Sequence, residues 1–242
     1  MISIIYEDSS ILVINKPSGM VVNRSETTRD EETLFDWILK NTTWLLGTPN
    51  EEFNDRHGVV HRLDKETSGL LIIAKDPTSF LNLQAQFKNH EVKKEYTTLV
   101  AGLFDSLEPF TVNAPLARNL RNRFKYGIVE GGRTAITNFV VNKQWSRSAN
   151  SYALLSAFPE TGRTHQIRVH LAALNHPVLG DTLYGSKVAN KEYAKLLSKT
   201  QLQTRMFLHA AKIDFCHPVT GSVMHLESAL PGELAEVISI LG

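Results

Sequence analysis

The chain has 242 residues, of which 42% are hydrophobic and 21% charged, and a formal net charge of +1. That balance is ordinary for a soluble globular protein and excludes a polycation as a whole; the length allows one large domain or two small ones, burying roughly 70% of the unfolded surface. Cys216 is the only cysteine, which excludes an intrachain disulfide and leads to the expectation of a reducing, cytoplasmic setting.

The N-terminus, Met1 to Asp8, lacks the basic start and long apolar core of a signal peptide, and no run of ~18 apolar residues spans a membrane. Ile2–Tyr6 and Ile11–Ile14 read as a hairpin around Asp8-Ser9-Ser10, ended by Asn15-Lys16-Pro17-Ser18-Gly19. Residues 31–45 read as a helix with Leu34, Trp37, Ile38 and Leu45 on one face, and 46–56 as a polar loop with Gly47, Pro49 and Asn50. The run Leu70–Ala74 is a short buried strand entered from the turn Thr67-Ser68-Gly69. Asp76-Pro77 starts a helix whose apolar side is Phe80, Leu83 and Phe87. Glu91–Leu103 is a long strand with Val92, Lys94, Tyr96, Thr98 and Val100 on one face.

Further strands are expected at Thr134–Val141 and Tyr152–Phe158, followed by a turn at Pro159–Arg163. Thr164 is placed to cap a helix running to about Asn175, with Ile167, His170, Leu171 and Leu174 on one side. After the Gly- and Pro-containing stretch 176–190 comes a short helix near Lys191–Ser198. A hairpin of Phe207–Phe215 and Ser222–Ser228 follows, then a helix begun by Pro231. The class is α+β, with a mixed, mostly antiparallel central sheet and flanking helices and loops. No internal repeat, low-complexity tract or linker interrupts it.

Charge is uneven along the chain. Residues 118–133 carry Arg118, Arg121, Arg123, Lys125 and Arg133 against Glu130, a local net of +4. Residues 26–36 carry Glu26, Asp30, Glu31, Glu32 and Asp36 against Arg29, a local net of −4. The basic segment suits a polyanion and equally reads as a solvated loop.

Three segments combine polar side chains with glycines at strand or helix ends, where binding and catalytic groups concentrate: 15–19, 61–69 and 161–170. In the second, Asp64 sits on a tight turn at the root of a strand, flanked by Arg62 and Lys65. Such an acid is held rigidly, as a nucleophile or base must be, although a turn Asp also commonly caps its own backbone. In the third, Arg168 lies beside the apolar face of its helix. A partly buried guanidinium wants a carboxylate fork, for which Asp64 is the chosen partner, or else it reaches to solvent. Tyr96 is either a core tyrosine or an aromatic plate for a nucleobase. No metal site is expected: Gly58, Val59 and Val60 separate His57 from His61, and His165 and His170 do not share a helix face. There is no Ser–His or Cys–His companion for Asp64, no phosphate-binding glycine loop and no paired carboxylate, so hydrolase and nucleotide-cofactor readings have no support.

Taken together, His61-Arg62-Leu63-Asp64 with Thr67-Ser68-Gly69, and Gly162-Arg163-Thr164-His165-Gln166-Ile167-Arg168, resemble the RluA-type pseudouridine synthases. Asn15–Gly19, Lys94-Glu95-Tyr96, His176–Asp181, Leu183-Tyr184-Gly185 and the stretch from Leu208-His209-Ala210 to His217-Pro218 match in the same order. The resemblance implies a single catalytic domain over 1–242, without an N-terminal S4 RNA-binding domain. It implies isomerisation of uridine to pseudouridine in structured tRNA or rRNA, with no cofactor or metal, by a monomer that binds no membrane. Asp64 matches the family's catalytic aspartate, Tyr96 the tyrosine that packs on the uracil, and Arg168 the basic residue paired with the aspartate. Arg62 matches a position that holds the target nucleotide out of the stack. His61, Thr67, Lys94, Arg163, His165, Gln166 and Lys16 are put forward as substrate contacts, and Arg121 as a phosphate contact. Three routes for Asp64 stay open: attack at C1′, addition to C6, or removal of a ribose proton. Arg118–Lys125 departs from the family pattern. The alternative reading, from another class, is an RNA-binding or chaperone module on the same fold that does not depend on catalysis.

Overall fold

A computed structural model describes residues 2–23, 31–44, 50–147, 150–197 and 205–242. The expected roles of Glu26, Arg29, Asp30, Leu45, Gly47, Pro49 and Ser198 lie outside them. In chain order the elements are β1 (Ser3–Glu7), β2 (Ile11–Lys16), α1 (Leu34–Asn41), α2 (Glu51–Asp55), β3 (Ser68–Ala74), α3 (Pro77–Lys88), β4 (Lys93–Ala101), β5 (Phe110–Asn113) and β6 (Leu116–Arg118). There follow β7 (Tyr126–Ile128), β8 (Ile136–Arg147), β9 (Asn150–Pro159), α4 (Gln166–Ala173), α5 (Lys187–Leu197), β10 (Leu208–Cys216), β11 (Val223–Glu227) and α6 (Gly232–Leu241). They form two compact units, one of Met1–Lys93 with Ala210–Ser228, the other of Lys94–His209 with Ala229–Gly242.

The first unit is built on strands in the order β1-β2-β3-β10, with β11 antiparallel to β10. Asp8 makes the first turn by accepting from the Ser10 and Ile11 amides at 2.8 and 2.9 Å. β2 pairs antiparallel with β3 from Ile11↔Ala74 to Lys16↔Gly69. The apolar run Leu70–Ala74, read as a buried strand, is buried throughout, as is the whole of β3. Leu70, Ile72 and Ala74 of β3 join Ile11, Val13, Phe53, Phe80 and Leu83 in one core, each large side chain contributing roughly 1.5–3 kcal/mol by leaving water. Gly69 belongs to β3 rather than to a turn before it. Its φ of +119° and the Ala210 carbonyl oxygen, 2.2 Å from where a β-carbon would stand, admit no other residue. α3 starts as its sequence dictates, with Asp76 accepting from Ser79 N–H at 2.9 Å and Pro77 in the first turn. Residues 46–56, expected as loop, contain α2. Asn50 caps it at Phe53 N–H, and the helix buries only Phe53, too little to leave a periodic pattern.

In the second unit β4, β9, β8 and β5 run antiparallel in that order, and β6 and β7 form a separate hairpin. Alternation along β4 sends Val100 into a core with Phe139, Leu155, Ile167 and Val178, and Leu99 into another with Trp145, Tyr193, Phe207, Leu234 and Val237. The sheet is therefore covered on both faces, by α4 on one and by α5 and α6 on the other. β5, β6 and β7 escape the sequence because three- and four-residue strands are too short for a period-2 signal. Among the described residues, no helix is long and apolar enough to cross a membrane.

Candidate active site

The first unit carries the Asp64 turn, and its rigidity comes from the 15–19 segment. Register places Lys16 beside Gly69, at the root of β3. Lys16 is fully buried, and its Nζ donates to three carbonyls, Pro17 at 3.0 Å, Met20 at 2.9 Å and Lys65 at 3.1 Å. Gly19 N–H donates to the same Lys65 oxygen at 2.9 Å, and Ser18 Oγ donates to the Glu66 carbonyl at 2.7 Å. The turn closes on itself through Thr67 N–H to the Asp64 carbonyl at 3.1 Å. Asp64 is half-buried while Arg62 is exposed.

Three of the expected substrate contacts also have structural work in this turn. Lys16 donates to three backbone carbonyls and so clamps the turn. Thr67 is buried beneath the turn. The Nε2 of His61 accepts from Ile72 N–H at 3.0 Å, and its ring stacks on Phe87 at 4.6 Å, which ties the segment before Asp64 to β3 and α3.

The second unit carries Tyr96, Lys94 and the 161–170 segment. Tyr96 sits in β4 opposite Ala157, half-buried, against the core that includes Ile167. Lys94, two residues away on the same face, is also half-buried. α4 begins later than expected. His165, not Thr164, occupies the cap position, with φ 58° and ψ 19° and no side-chain cap. The buried Gln166 replaces it: Oε1 accepts from Thr161 Oγ1 at 2.7 Å and Arg163 N–H at 3.0 Å, and Nε2 donates to the Ile136 carbonyl and Thr137 Oγ1, both at 2.9 Å. With both donors and both acceptors used within the fold, Gln166 is a structural brace rather than a substrate contact. Arg163 Nε donates to the Thr134 carbonyl at 2.9 Å, and desolvation followed by the nearby charge of Arg133 lowers its pKa.

Gln166 to Leu171 are all buried, so α4 has no single apolar side, and Leu174 at its end is partly exposed. Arg168 is buried as anticipated, and Asp181 takes a fork from its guanidinium. Nε to Oδ2 is 2.7 Å and Nη2 to Oδ1 is 2.9 Å. Asp181 also accepts from the Leu183 and Tyr184 amides at 2.8 and 3.0 Å. Burial alone would raise the Asp181 pKa; the Arg168 hydrogen bond and charge, with those two amides, outweigh it and hold it below the ordinary carboxylate value. One signal pointed to this partner: Asp181 is the only acidic residue between Glu160 and Glu192. The hydroxyl of Tyr184 meets the His165 Nδ1 at 2.9 Å, and its ring lies 5.1 Å from the Arg168 guanidinium. Neither Asp181 nor Tyr184 had been assigned a role.

The +4 segment folds as the β6–β7 hairpin and its loop. Arg121 and Arg123 are exposed there, with Leu120 fully and Phe124 largely in solvent. Asn119 Oδ1 shapes the loop by accepting from the Arg121 and Asn122 amides. Cations lie against rings on this hairpin, Arg118 on Tyr126 and Arg123 on Phe124. No three His, Cys, Asp or Glu side chains group as a metal site among the described residues. The first unit thus offers an acid on a braced turn; the second offers a tyrosine beside a buried, carboxylate-paired guanidinium and a basic loop with exposed apolar tips.

The chain is similar to known proteins over nearly its whole length. The family model described as RNA pseudouridylate synthase matches residues 10–173. The chain is 36% identical to "Ribosomal large subunit pseudouridine synthase D" of Zymomonas mobilis, covering 99% of this chain and 73% of that protein. It is also 36% identical, with the same coverages, to an uncharacterized RNA pseudouridine synthase of Bacillus subtilis. Among solved structures, human RNA Pseudouridylate Synthase Domain Containing 1 aligns with a TM-score of 0.71 at 25% identity, over 96% of this chain and 84% of that one. Human RNA Pseudouridylate Synthase Domain Containing 4 shares the fold, with a TM-score of 0.72 at 24% identity over 99% of this chain and 92% of that one.

Proposed function

This chain belongs to the RNA pseudouridylate synthase family, isomerases acting on RNA, and we propose that its substrate is a structured RNA of the large ribosomal subunit and its catalytic carboxylate Asp64. The observation that carries the proposal is the bracing of the Asp64 turn by Lys16, Ser18 and Gly19, which aims one acid while leaving it half-exposed. The substrate class rests on relatives named for large-subunit RNA.

The reaction breaks the N1–C1′ bond, turns the uracil, forms C5–C1′, releases the C5 proton and leaves a proton on N1. Electrons balance within the nucleoside, so no redox cofactor is called for. The uridine must leave its stack first, a step favoured in loops and single strands. In this reading the exposed Arg62 holds the extruded nucleotide, and Asp64 engages the sugar or base by one of its three open routes. The Tyr96 ring packs on uracil, and Arg168, held in place by its fork to Asp181, presents its remaining N–H edge. The enzyme acts as a cytoplasmic monomer.

Tritium release from RNA labelled at uridine C5 tests the proposal. Release from deproteinised large-subunit RNA is expected, falling at least 10³-fold in Asp64→Asn, the scale of losing a catalytic group. Equal release by the variant, or none from any cellular RNA by the wild type, would overturn it. Full rescue of a deletion phenotype by Asp64→Asn would favour the binding-module reading instead.

A further inference from the structure

The Tyr184 hydroxyl stands at a junction that the reaction above leaves unused. It accepts from the backbone N–H of Tyr126 at 2.7 Å, at the start of β7, and lies 2.9 Å from Nδ1 of His165. An oxygen that accepts one N–H still has its own hydrogen to give. Nδ1 is placed to take that hydrogen, and with it a neutral imidazole would carry its own proton on Nε2. His165 is held in a left-handed backbone conformation that β-carbon residues rarely adopt. The rings of Tyr126 and His165, and of His165 and Tyr184, meet edge to face at 5.8 and 5.6 Å. The two tyrosines share one small core with Leu116 of β6 and Val169 of α4. The Tyr184 ring also has the Lys125 ammonium 5.8 Å and the Arg168 guanidinium 5.1 Å from its centre. One side chain thus touches the basic hairpin, the residue that opens α4 and the guanidinium one turn further on.

We propose that Tyr184 is a positioning residue that pins the basic hairpin to the start of α4 and fixes His165 as its Nε2–H tautomer. Its oxygen holds in one register the loop that grips RNA phosphates and the His165–Arg168 end of the site. The RNA-gripping half of this inference rests on the proposed function; the tautomer half does not.

Tyr184→Phe removes the oxygen alone and keeps the ring that packs on Val169 and faces Arg168. The first measurement is the long-range ¹H–¹⁵N spectrum of His165 in the free protein. Wild type should show an unprotonated Nδ1 and a protonated Nε2, and Tyr184→Phe a mixture of tautomers. A wild type with hydrogen on Nδ1 overturns the proposal whether or not the variant folds. The second is a double-mutant cycle on the affinity for deproteinised large-subunit RNA. Tyr184→Phe and Arg121→Glu should each weaken binding about tenfold, and together no more than the worse of the two. Losses that multiply, or wild-type affinity in Tyr184→Phe, overturn it. If wild type releases no tritium from any RNA, the proposed function falls while the tautomer measurement still decides this inference.

Discussion

Lys16 is a fully buried ammonium, and such a group is tolerated only where its hydrogens find oxygens. Here the oxygens belong to the backbone on either side of a turn, so the charge acts as a rivet between the 15–19 segment and the Asp64 turn. Lys16→Met keeps the length and removes the donor. It should destabilise the fold by about 1–3 kcal/mol, the cost of orphaned buried carbonyls, and lower kcat more than it raises KM, because the Asp64 turn loosens. Urea unfolding beside steady-state tritium release checks both, and unchanged stability would mean water replaces the amine. Arg168 meets burial differently, with a paired carboxylate. Asp181→Asn removes the carboxylate that forks onto that guanidinium and should lose roughly 3–5 kcal/mol in the same unfolding assay. Both residues lie inside motifs legible in the sequence. That Lys16 holds the Asp64 turn depends on a strand register no single sequence displays, and the fork between Arg168 and Asp181 depends likewise on packing.

At the scale of the element, the β6–β7 hairpin is the feature that pattern analysis described by charge alone. Its strands have three residues each, and their stability comes from docking on Val169 and Tyr184 rather than from propensity. The docking leaves Arg121 and Arg123 on an exposed loop, where cations contact phosphates and release counterions. Arg121→Glu should weaken RNA binding and reduce the slope of log affinity against log salt by about 1, with folding unaffected. A slope equal to wild type would remove Arg121 from the interface. The helices illustrate the converse. α3 was readable because Asp76, Pro77 and an apolar stripe agree locally. α4 was misread at its start because its first turn is held by Gln166, through partners at Thr161, Ile136 and Thr137, and not by a capping hydroxyl.

At the scale of the whole molecule, stability should depend on pH through its shifted groups, of which Asp181 joins Asp8 in acid and His170 acts nearer neutrality. His170 is buried between Thr137 Oγ1 and the Ala114 carbonyl, and desolvation lowers its pKa from 6.5. Its contribution is complete above pH 6.5 and is lost as pH falls through its lower native value, since the unfolded chain then binds the extra proton. Asp8 behaves alike at lower pH. Burial raises its pKa, but donors from Ser10, Ile11, Tyr6 and His217 outweigh it and bring it down to about 2. Its contribution is present above the ordinary value of 3.8 and is lost as pH falls towards 2; after allowance for solvent screening it is about 1 kcal/mol. Thermal unfolding should therefore show declining stability below pH 6.5 with a second loss below pH 4, and Asp8→Asn should flatten the second. The sequence by itself determined the fold class, the family and most strands and helices, because apolar periodicity, turn chemistry and motif order are local properties. Tertiary structure alone decided which polar side chains brace the fold and which stay available. Lys16, His61 and Gln166 become committed, and Asp181 and Tyr184 gain roles, because a hydrogen bond is settled by what lies within 3 Å in space, and neighbours in space are set by register and packing.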